Sequence, residues 1–427
     1  MRFSRAFQAL LPALGLVTMA TRAPAQQADA ELERARKLLR STPLIDGHND
    51  LPWAIREYKE APRDVARYDL RGSVPGQTDL ARLKAGLLGA QFWSVYIPGE
   101  IQDSGYARVQ LEQIDIARRV IATYPDRLAP ALVADDIKRE FKRGRIASFM
   151  GMEGGHAIEN SLGALRAYYA LGVRYMTLTH NVTLDWADAA LDSARHGGLT
   201  EFGREVVREM NRMGMLVDLS HVSPATMSDA LDVAEAPVIF SHSSARALVD
   251  HKRNVPDSIL ARLPKNGGVV MVTFVPAFVS QEVADWEARY DSVSKELGMT
   301  VSDTAERTRQ LAEWSKAHTR PAATLAQVAD HIDHVRKVAG VDHVGFGSDF
   351  DGVENVPVGL VDVSKFPALF AELIRRGWSD ADLRKLAGEN LQRVLRAAEA
   401  TATRLQRGRP PSTRTIQELD GAAHTTS

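Results

Sequence analysis

Short apolar runs alternate with longer amphipathic stretches along most of this chain. The apolar runs are nearly continuous, which is typical of parallel strands that are covered on both faces. The stretches between them, such as 201–213 and 325–338, carry apolar residues at helical spacing. Eight strands with helical connections favour an α/β fold, a (β/α)8 TIM-like barrel. The predicted strands span residues 44–48, 91–97, 146–152, 175–179, 215–220, 237–241, 268–274 and 343–348.

Two segments between predicted strands are longer than simple connections. Residues 54–90 are rich in Arg, Asp and Gly, and residues 277–322 form a charged, helix-rich block. We interpret the second block as a solvated helical surface, with a lid or a partner surface as the alternative. No linker separates two cores, so the sequence predicts one barrel domain over residues 26–406 with helical insertions.

Residues that can bind metal ions follow six of the eight predicted strands. The carboxyl ends of the strands of such a barrel converge on one mouth, so we expect these side chains to lie together. Asp46 shares the face of His48 one layer deeper and is either a buried hydrogen-bonding carboxylate or a partner that orients His48. The candidate residues at the mouth are His48, Asp50, Glu153, His180, His221, His242 and Asp349.

The composition of the chain limits its possible partners and the side chains that can bind a metal ion. The 427 residues carry 53 Lys and Arg against 54 Asp and Glu, a net charge of -1, so no basic field favours a nucleic-acid partner. Cysteine is absent, which excludes disulfides, cysteine nucleophiles and thiolate metal sites. Any metal ion must therefore be held by His, Asp and Glu.

Both ends of the chain differ from its body. Residues 1–25 predict a cleavable signal peptide, with Arg2 and Arg5, an apolar stretch and a small-x-small site that ends at Ala25. The apolar stretch is too short for a membrane anchor, so we expect a periplasmic or secreted protein. From Arg407 to residue 427 no periodicity remains, which predicts a disordered tail.

Histidine and carboxylate ligands suit zinc, and also manganese, cobalt or iron(II). One catalytic zinc uses three protein ligands, so this larger set fits two ions better. Two cations polarise a bound carbonyl and lower the pKa of a shared water, which favours hydrolysis of an amide or an ester. Glu153 is a candidate bridge, because one carboxylate can give an oxygen to each ion. The sequence has no Gly-x-Ser-x-Gly, His-Glu-x-x-His or Walker motif.

Taken together, the motifs resemble those of the membrane (renal) dipeptidases of peptidase family M19, zinc peptidases of the amidohydrolase-like barrel group. The match runs from about Pro43 to Ala398, and it rests on the order and spacing of several strings. They are DGHNDLPW at 46–53, EGG at 153–155, LTHN at 178–181, DLSH at 218–221, FSHSSA at 240–245, RNVPD at 253–257, GSDFDG at 347–352 and GLVDVSKFP at 359–367.

The resemblance implies a barrel of the metal-dependent hydrolase type that holds two zinc ions. It assigns His48 and Asp50 to one zinc and His221 and His242 to the other. Glu153 would bridge the two, which agrees with the argument from the residues alone.

The resemblance also implies three roles in substrate binding and catalysis. His180 would contact the substrate and stabilise the oxyanion of the tetrahedral intermediate. Arg253 would bind the free carboxylate of the substrate, which suits a guanidinium fork. Asp349 would relay a proton between the shared water and the leaving amine. A homodimer is implied in the same way.

The leading hypothesis is an exported zinc dipeptidase that cleaves free dipeptides. Dipeptides with a C-terminal D-residue are candidate substrates as well. One alternative is a related barrel hydrolase for N-acyl amino acids or β-lactams, which Arg253 does not separate from a dipeptidase. Another is a noncatalytic periplasmic protein that binds metal or peptide. Asp349 distinguishes this last case, because a binding protein needs no proton relay.

Overall fold

Parallel strands form one curved sheet in the computed structural model, which describes residues 24–101 and 105–421. Along the sheet the strand order is β1-β2-β4-β5-β6-β7-β8-β9, and β3 pairs with β4 beside this path. The strands are β1 (Leu44–Asn49), β2 (Leu88–Ser94), β3 (Leu128–Pro130), β4 (Ile146–Glu153), β5 (Val173–Thr177), β6 (Leu216–Asp218), β7 (Ile239–Phe240), β8 (Val269–Val272) and β9 (Val344–Phe346).

The two ends of this sheet meet and nearly close the barrel. The amide of Asp50 donates to the carbonyl of Phe350 at 2.9 Å, and the amide of Asp349 donates to the carbonyl of His48 at 3.1 Å. The (β/α)8 prediction is therefore confirmed. The predicted strand 91–97 is displaced, because β2 begins at Leu88. The strand β3 was missed, since it has only three residues and ends in proline.

Helices cover the outside of the barrel, and the predicted insertion 277–322 is helical as expected. Within it, α13 has no buried residue and α12 has only Val283. The helices are α1 (Pro24–Leu39), α2 (Leu51–Arg56), α3 (Leu80–Ala85), α4 (Tyr106–Thr123), α5 (Ala134–Lys142), α6 (Leu162–Ala170), α7 (Glu201–Met213), α8 (Pro224–Val233), α9 (Asp257–Leu260), α10 (Leu263–Asn266), α11 (Pro276–Val279), α12 (Gln281–Thr300), α13 (Thr304–Ala317), α14 (Leu325–Ala339), α15 (Phe366–Arg375), α16 (Asp380–Arg384), α17 (Asn390–Gln406) and α18 (Ile416–Asp420).

The barrel interior is filled by aromatic side chains below the mouth. The ring centroids of Phe92 and Phe149 are 4.8 Å apart, and that of Tyr175 is 5.2 Å from Phe92. Gly151 makes this packing possible, because a Cβ there would lie 2.0 Å from the Tyr175 ring. All three aromatic residues are fully buried. These close-packed rings fill the barrel directly beneath the residues at its mouth.

The tail predicted to be disordered from Arg407 is instead packed against the barrel as far as residue 421. The guanidinium of Arg166 donates to the carbonyl of Ser412 at 2.9 Å. Ile416 is only 2% exposed, and Asp420 accepts from a backbone amide of α7. The prediction was wrong there, because it read local composition and missed these long-range contacts. Residues 422–427 lie outside the described residues.

The predicted signal peptide lies mostly outside the described residues, which begin at Pro24 in helix α1. Among the described helices, none is both long and apolar enough to cross a lipid bilayer.

Candidate metal centre

The structure brings all seven mouth candidates together at the carboxyl ends of the strands. His48 lies in β1, with Asp50 just after it, and Glu153 is the last residue of β4. His180, His221, His242 and Asp349 follow β5, β6, β7 and β9. His221 and Asp349 have left-handed backbones, with φ of 66° and 65°. Such strained residues are concentrated at functional sites, because the surrounding fold must hold them in place.

Glu153 occupies the centre of the cluster. Its Oε1 lies 2.9 Å from Nε2 of His221 and 3.3 Å from Nε2 of His242. Its Oε2 lies 3.3 Å from Nε2 of His48 and accepts a hydrogen bond from the hydroxyl of Ser94 at 3.1 Å. The two carboxylate oxygens therefore face different histidines, which is the arrangement expected of a bridging ligand.

Two further carboxylates lie near the same nitrogen of His48 as Glu153. This nitrogen, Nε2, is 3.2 Å from Oδ2 of Asp50 and 3.9 Å from Oδ1 of Asp349. Among the described residues, three overlapping groups of three side chains each bring their ligand atoms close enough to hold one metal ion. These groups are His48, Glu153 and His242; Glu153, His180 and His221; and His48, Asp50 and Asp349.

The donor atoms of this cluster fit bound cations. Nε2 of His48 and Oδ1 of Asp50 are buried and have no hydrogen-bond partner. Nε2 of His221 and Nε2 of His242 face each other at 2.9 Å. Buried polar atoms are normally paired, because an unpaired one loses its hydration without compensation. Imidazoles and carboxylates turned inward together suit zinc or a similar divalent ion.

Electrostatics at the cluster agree with this fit. Burial lowers the pKa of His48, but Tyr175, Glu153 and Asp50 outweigh burial and hold that pKa well above its ordinary value. Burial raises the pKa of Glu153, but His48 and His221 outweigh burial and hold it well below its ordinary value. Both shifts mean that positive charge is favoured beside these carboxylates. A divalent cation would supply such charge, and its histidine ligands would have to be deprotonated to bind it.

The outer nitrogens of the histidines are held by neighbouring side chains. Nδ1 of His48 lies 2.7 Å from the hydroxyl of Tyr175. Nδ1 of His242 lies 2.8 Å from Oγ of Ser241, which donates to Asp218 at 2.6 Å. Such contacts fix the ring orientation and leave Nε2 for the metal ion. Nδ1 of His221 is 3.1 Å from Oδ1 of Asn181 in the same way.

Tyr175→Phe is expected to weaken metal binding roughly 10–100-fold, because it removes the hydroxyl that orients His48. The ring that fills the barrel floor remains, so the fold is expected to persist. Competition with a chromogenic chelator measures the affinity. Tyr290→Phe, on the outer insertion, is the matched control. Equal metal affinity of wild type and Tyr175→Phe would contradict the role of the hydroxyl.

Asp46 is a hydrogen-bonding carboxylate, the first of the two alternatives that the sequence left open. It accepts from the amide of Ser348 at 2.7 Å, from the hydroxyl of Ser348 at 2.6 Å and from the amide of His48 at 3.3 Å. Its carboxyl is fully buried, and burial raises its pKa to about 6. Asp46 thus joins the ends of β1 and β9 beneath the cluster.

The cluster opens into a cavity of about 410 Å³. Arg253 lines this cavity and is only 1% exposed. One of its terminal nitrogens lies 3.4 Å from the hydroxyl of Ser243, and its guanidinium lies 5.2 Å from the ring centre of Phe278. Trp53, Tyr96, His180, Leu191 and Val275 also line the cavity. A volume of this order suits a small molecule.

Several supporting residues were missed by the sequence reasoning. The backbone amide of Gln77, in the first insertion, donates to Oδ1 of Asp351 at 2.6 Å. The side-chain oxygen Oε1 of Gln77 accepts from the backbone amide of Asp351 at 2.6 Å. This reciprocal pair fastens the loop that carries Asp349. No motif marks Gln77, because its role depends on a contact across 274 residues. Tyr175 could have been noticed only as a polar tip inside an apolar strand.

The model of the membrane dipeptidase family, peptidase family M19, matches residues 32–409. The structure is similar to that of the probable dipeptidase PvdM from Pseudomonas aeruginosa, with a TM-score of 0.76 and 26% identity over 88% of this chain and 100% of that one.

Two further solved structures are similar to a comparable degree. One is a metallopeptidase from Rhodobacter sphaeroides liganded with a phosphinate mimic of the dipeptide L-Ala-D-Ala, with a TM-score of 0.68 and 26% identity over 84% of this chain and 99% of that one. The other is described as dipeptidase AC, a metallopeptidase of family M19, with a TM-score of 0.69 and 26% identity over 84% and 98% of the two chains.

Proposed function

The chain belongs to the membrane dipeptidase family, peptidase family M19, and from this membership we propose that it hydrolyses the peptide bond of free dipeptides with two zinc ions. Membership of this family makes it a metal-dependent hydrolase. We propose two ions because Glu153 lies between His48 on one side and the pair His221 and His242 on the other. Zinc is the ion proposed, because three imidazoles and several carboxylates suit it.

The observation that carries the proposal is a buried guanidinium in the same cavity as the metal ligands. Among the described residues, no carboxylate lies within ion-pair distance of Arg253, although it is 1% exposed. Burial lowers the pKa of this guanidinium to about 10, so it remains charged at neutral pH. A buried charge without a partner is energetically costly, and a substrate carboxylate can pair with the guanidinium through two parallel hydrogen bonds. A free dipeptide has such a carboxylate one residue from its only peptide bond.

When bound, the metal ions would polarise the scissile carbonyl and lower the pKa of the attacking water. Arg253 would hold the C-terminal carboxylate and thereby fix the distance from that end to the bond that is cut. With that end fixed, a longer chain must also place its additional residues in the cavity, so we expect dipeptides to be preferred over longer peptides that end in the same residue.

Asp349 and His180 would handle protons and charge at the scissile bond. Asp349 lines the cavity beside Asp50 and would accept a proton from the water and pass it to the leaving amine. His180 also lines the cavity, and burial lowers its pKa, so the neutral ring can donate one hydrogen bond to the developing oxyanion. Its Nε2 lies 4.0 Å from Oε1 of Glu153, at the edge of the cluster.

Arg253→Lys is expected to raise KM for dipeptides by roughly 10–100-fold with a smaller change in kcat, because lysine cannot reproduce the two-pronged bond to a carboxylate. Steady-state kinetics on one dipeptide and on its C-terminal amide check this. The amide lacks the carboxylate, so its hydrolysis should change little between wild type and variant. Equal losses on both substrates would contradict carboxylate recognition.

The proposed activity is tested with purified chain that is loaded with zinc. The panel holds dipeptides with L- or D-residues at the C-terminal position, a tripeptide, an N-acyl amino acid and a β-lactam, each with and without chelator. D-residues are included because a similar structure carries a mimic of L-Ala-D-Ala. Chelator-sensitive cleavage of dipeptides, with the tripeptide spared, supports the proposal. Cleavage of only the acyl amino acid or the β-lactam would assign another substrate, and no cleavage by protein with two metal ions would favour a binding role.

We also propose that the chain is exported, on the basis of the charge and apolar pattern of residues 1–25. The mature protein is expected to begin near Gln26 when it is recovered from the periplasm or the medium. Mass spectrometry of the intact chain checks this. A recovered protein that still begins at Met1 would contradict cleavage.

A further inference from the structure

A second cavity lies at the end of the barrel opposite the metal cluster. It has a volume of about 280 Å³ and is bounded by the end of α1, by α3 and by the end of α5. Leu88 and Ile146, which begin β2 and β4, lie in its wall, whereas Glu153 ends β4 at the other side. The lining is apolar, with Leu39, Leu80, Leu83, Leu87, Leu88, Phe141 and Ile146.

The rest of the lining is Gly144 and four cationic side chains, with no carboxylate: Arg40, Lys84, Arg127 and Arg145. Arg145 is neutralised by Glu140, whose Oε2 accepts from its Nε at 2.9 Å. Among the described residues, the side chain of Arg127 has one ion-pair partner, Asp126, at 3.7 Å from its Nε. The side chains of Arg40 and Lys84 have no hydrogen bond or ion pair within residues 24–101 and 105–421. The rim therefore has an excess of positive charge around an apolar interior.

The backbone at the cavity is arranged around this space. Leu87 has a left-handed conformation with φ of 59°, which is uncommon for a bulky side chain. Gly86 before it has no room for a Cβ, which would lie 2.0 Å from the carbonyl of Val363. Gly89 after it lets the Phe141 ring approach, since a Cβ there would lie 3.0 Å from that ring. The chain thus turns tightly so that Leu87 and Phe141 line the cavity.

We propose that this cavity binds a small amphipathic anion, a saturated acyl chain that ends in a carboxylate. The apolar part would fill the interior and release water from the leucine side chains. The carboxylate would lie at the rim between Arg40 and Lys84. A dry cavity of about 150 Å³ holds benzene, so this larger one fits a chain of about eight carbons.

The site is separate from the proposed dipeptidase centre, so the test measures binding and does not depend on catalysis. Isothermal titration of the full chain uses four probes at concentrations below micelle formation. Octanoate has both the chain and the charge, 1-octanol has only the chain, inorganic phosphate has only an anionic charge, and octylamine has the opposite charge. Octanoate is expected to bind one per chain, at least tenfold more tightly than each of the other three.

Charge-reversal variants locate the binding. The double variant Arg40→Glu and Lys84→Glu is expected to weaken octanoate binding at least tenfold and to change 1-octanol binding less than twofold. Lys142→Glu, on the exposed end of α5 outside the lining, is the control and should bind octanoate like wild type.

Three outcomes would overturn the proposal. The first is equal binding of octanoate and 1-octanol, which would mean that the rim charges recognise nothing. The second is octanoate binding that survives the double variant, which would place the ligand elsewhere. The third is no octanoate binding by the wild-type chain. A change of oligomeric state in the double variant, measured by analytical ultracentrifugation, would then assign this face to a second copy of the chain.

Discussion

Glu153→Gln is expected to lose at least one metal ion per chain and to lower hydrolysis by more than 100-fold. Glutamine keeps the size of the side chain, but it is neutral and leaves only one oxygen in place of two. The carboxylate faces three imidazoles, with Oε1 near His221 and His242 and Oε2 near His48. An amide nitrogen at either position cannot bind a cation. Changes in residues that merely support metal ligands already weaken metal binding about 10–100-fold, so a direct ligand should cost more.

Metal content after dialysis, measured by inductively coupled plasma mass spectrometry, checks this prediction. Glu282→Gln makes the same chemical change on the exposed part of α12 and should keep the wild-type metal content. Because Glu153 is buried, its replacement could also affect folding, and circular dichroism shows whether the variant is folded. A folded Glu153→Gln that still carries two ions would remove the bridging role.

The position of the proposed metal ligands could be predicted from sequence because it depends on two local signals. An apolar run marks each strand, and a His, Asp or Glu at its carboxyl end stands out against that run. The barrel topology then brings residues as distant as His48 and Asp349 together without any further information. Even the short strand β7, with two residues, was located well enough to place His242 at the mouth.

Contacts between distant segments that lack such a signal could not be predicted. The hydroxyl of Tyr175 reaches His48 only because Gly151 leaves space for its ring. The C-terminal segment looked disordered, since its charged and proline-rich composition hides the burial of Ile416. The charge of Arg253 was visible in the sequence, but its burial without a carboxylate partner was not. These features arise from tertiary packing, which local composition does not record.

Asp349→Asn is expected to lower kcat by roughly 10²–10⁴-fold, because an amide cannot accept and return a proton. Asparagine is the informative replacement here, since it tolerates the left-handed backbone that Asp349 adopts with φ of 65°. Burial raises the pKa of Asp349 above its ordinary value, and only the carboxylate form accepts a proton. The wild-type rate should therefore fall as the pH drops through that pKa, and the variant should lack this dependence.

The metal content must be measured in parallel, because Oδ1 of Asp349 lies 3.9 Å from Nε2 of His48 and a loss of metal would also lower kcat. Asp351→Asn is a matched control in the same loop, with the same left-handed φ of 65°. The Oδ1 of an asparagine at position 351 can still accept from the backbone amide of Gln77, so most of the activity should remain. Proton relay by Asp349 predicts a variant with two metal ions, normal KM and a low kcat. Full activity in Asp349→Asn would instead require another group to move the proton. Among the described residues that line the cavity, His180 and Tyr96 are the other titratable side chains outside the proposed ligands and Arg253. Burial raises the pKa of Tyr96, so His180 would be tested next.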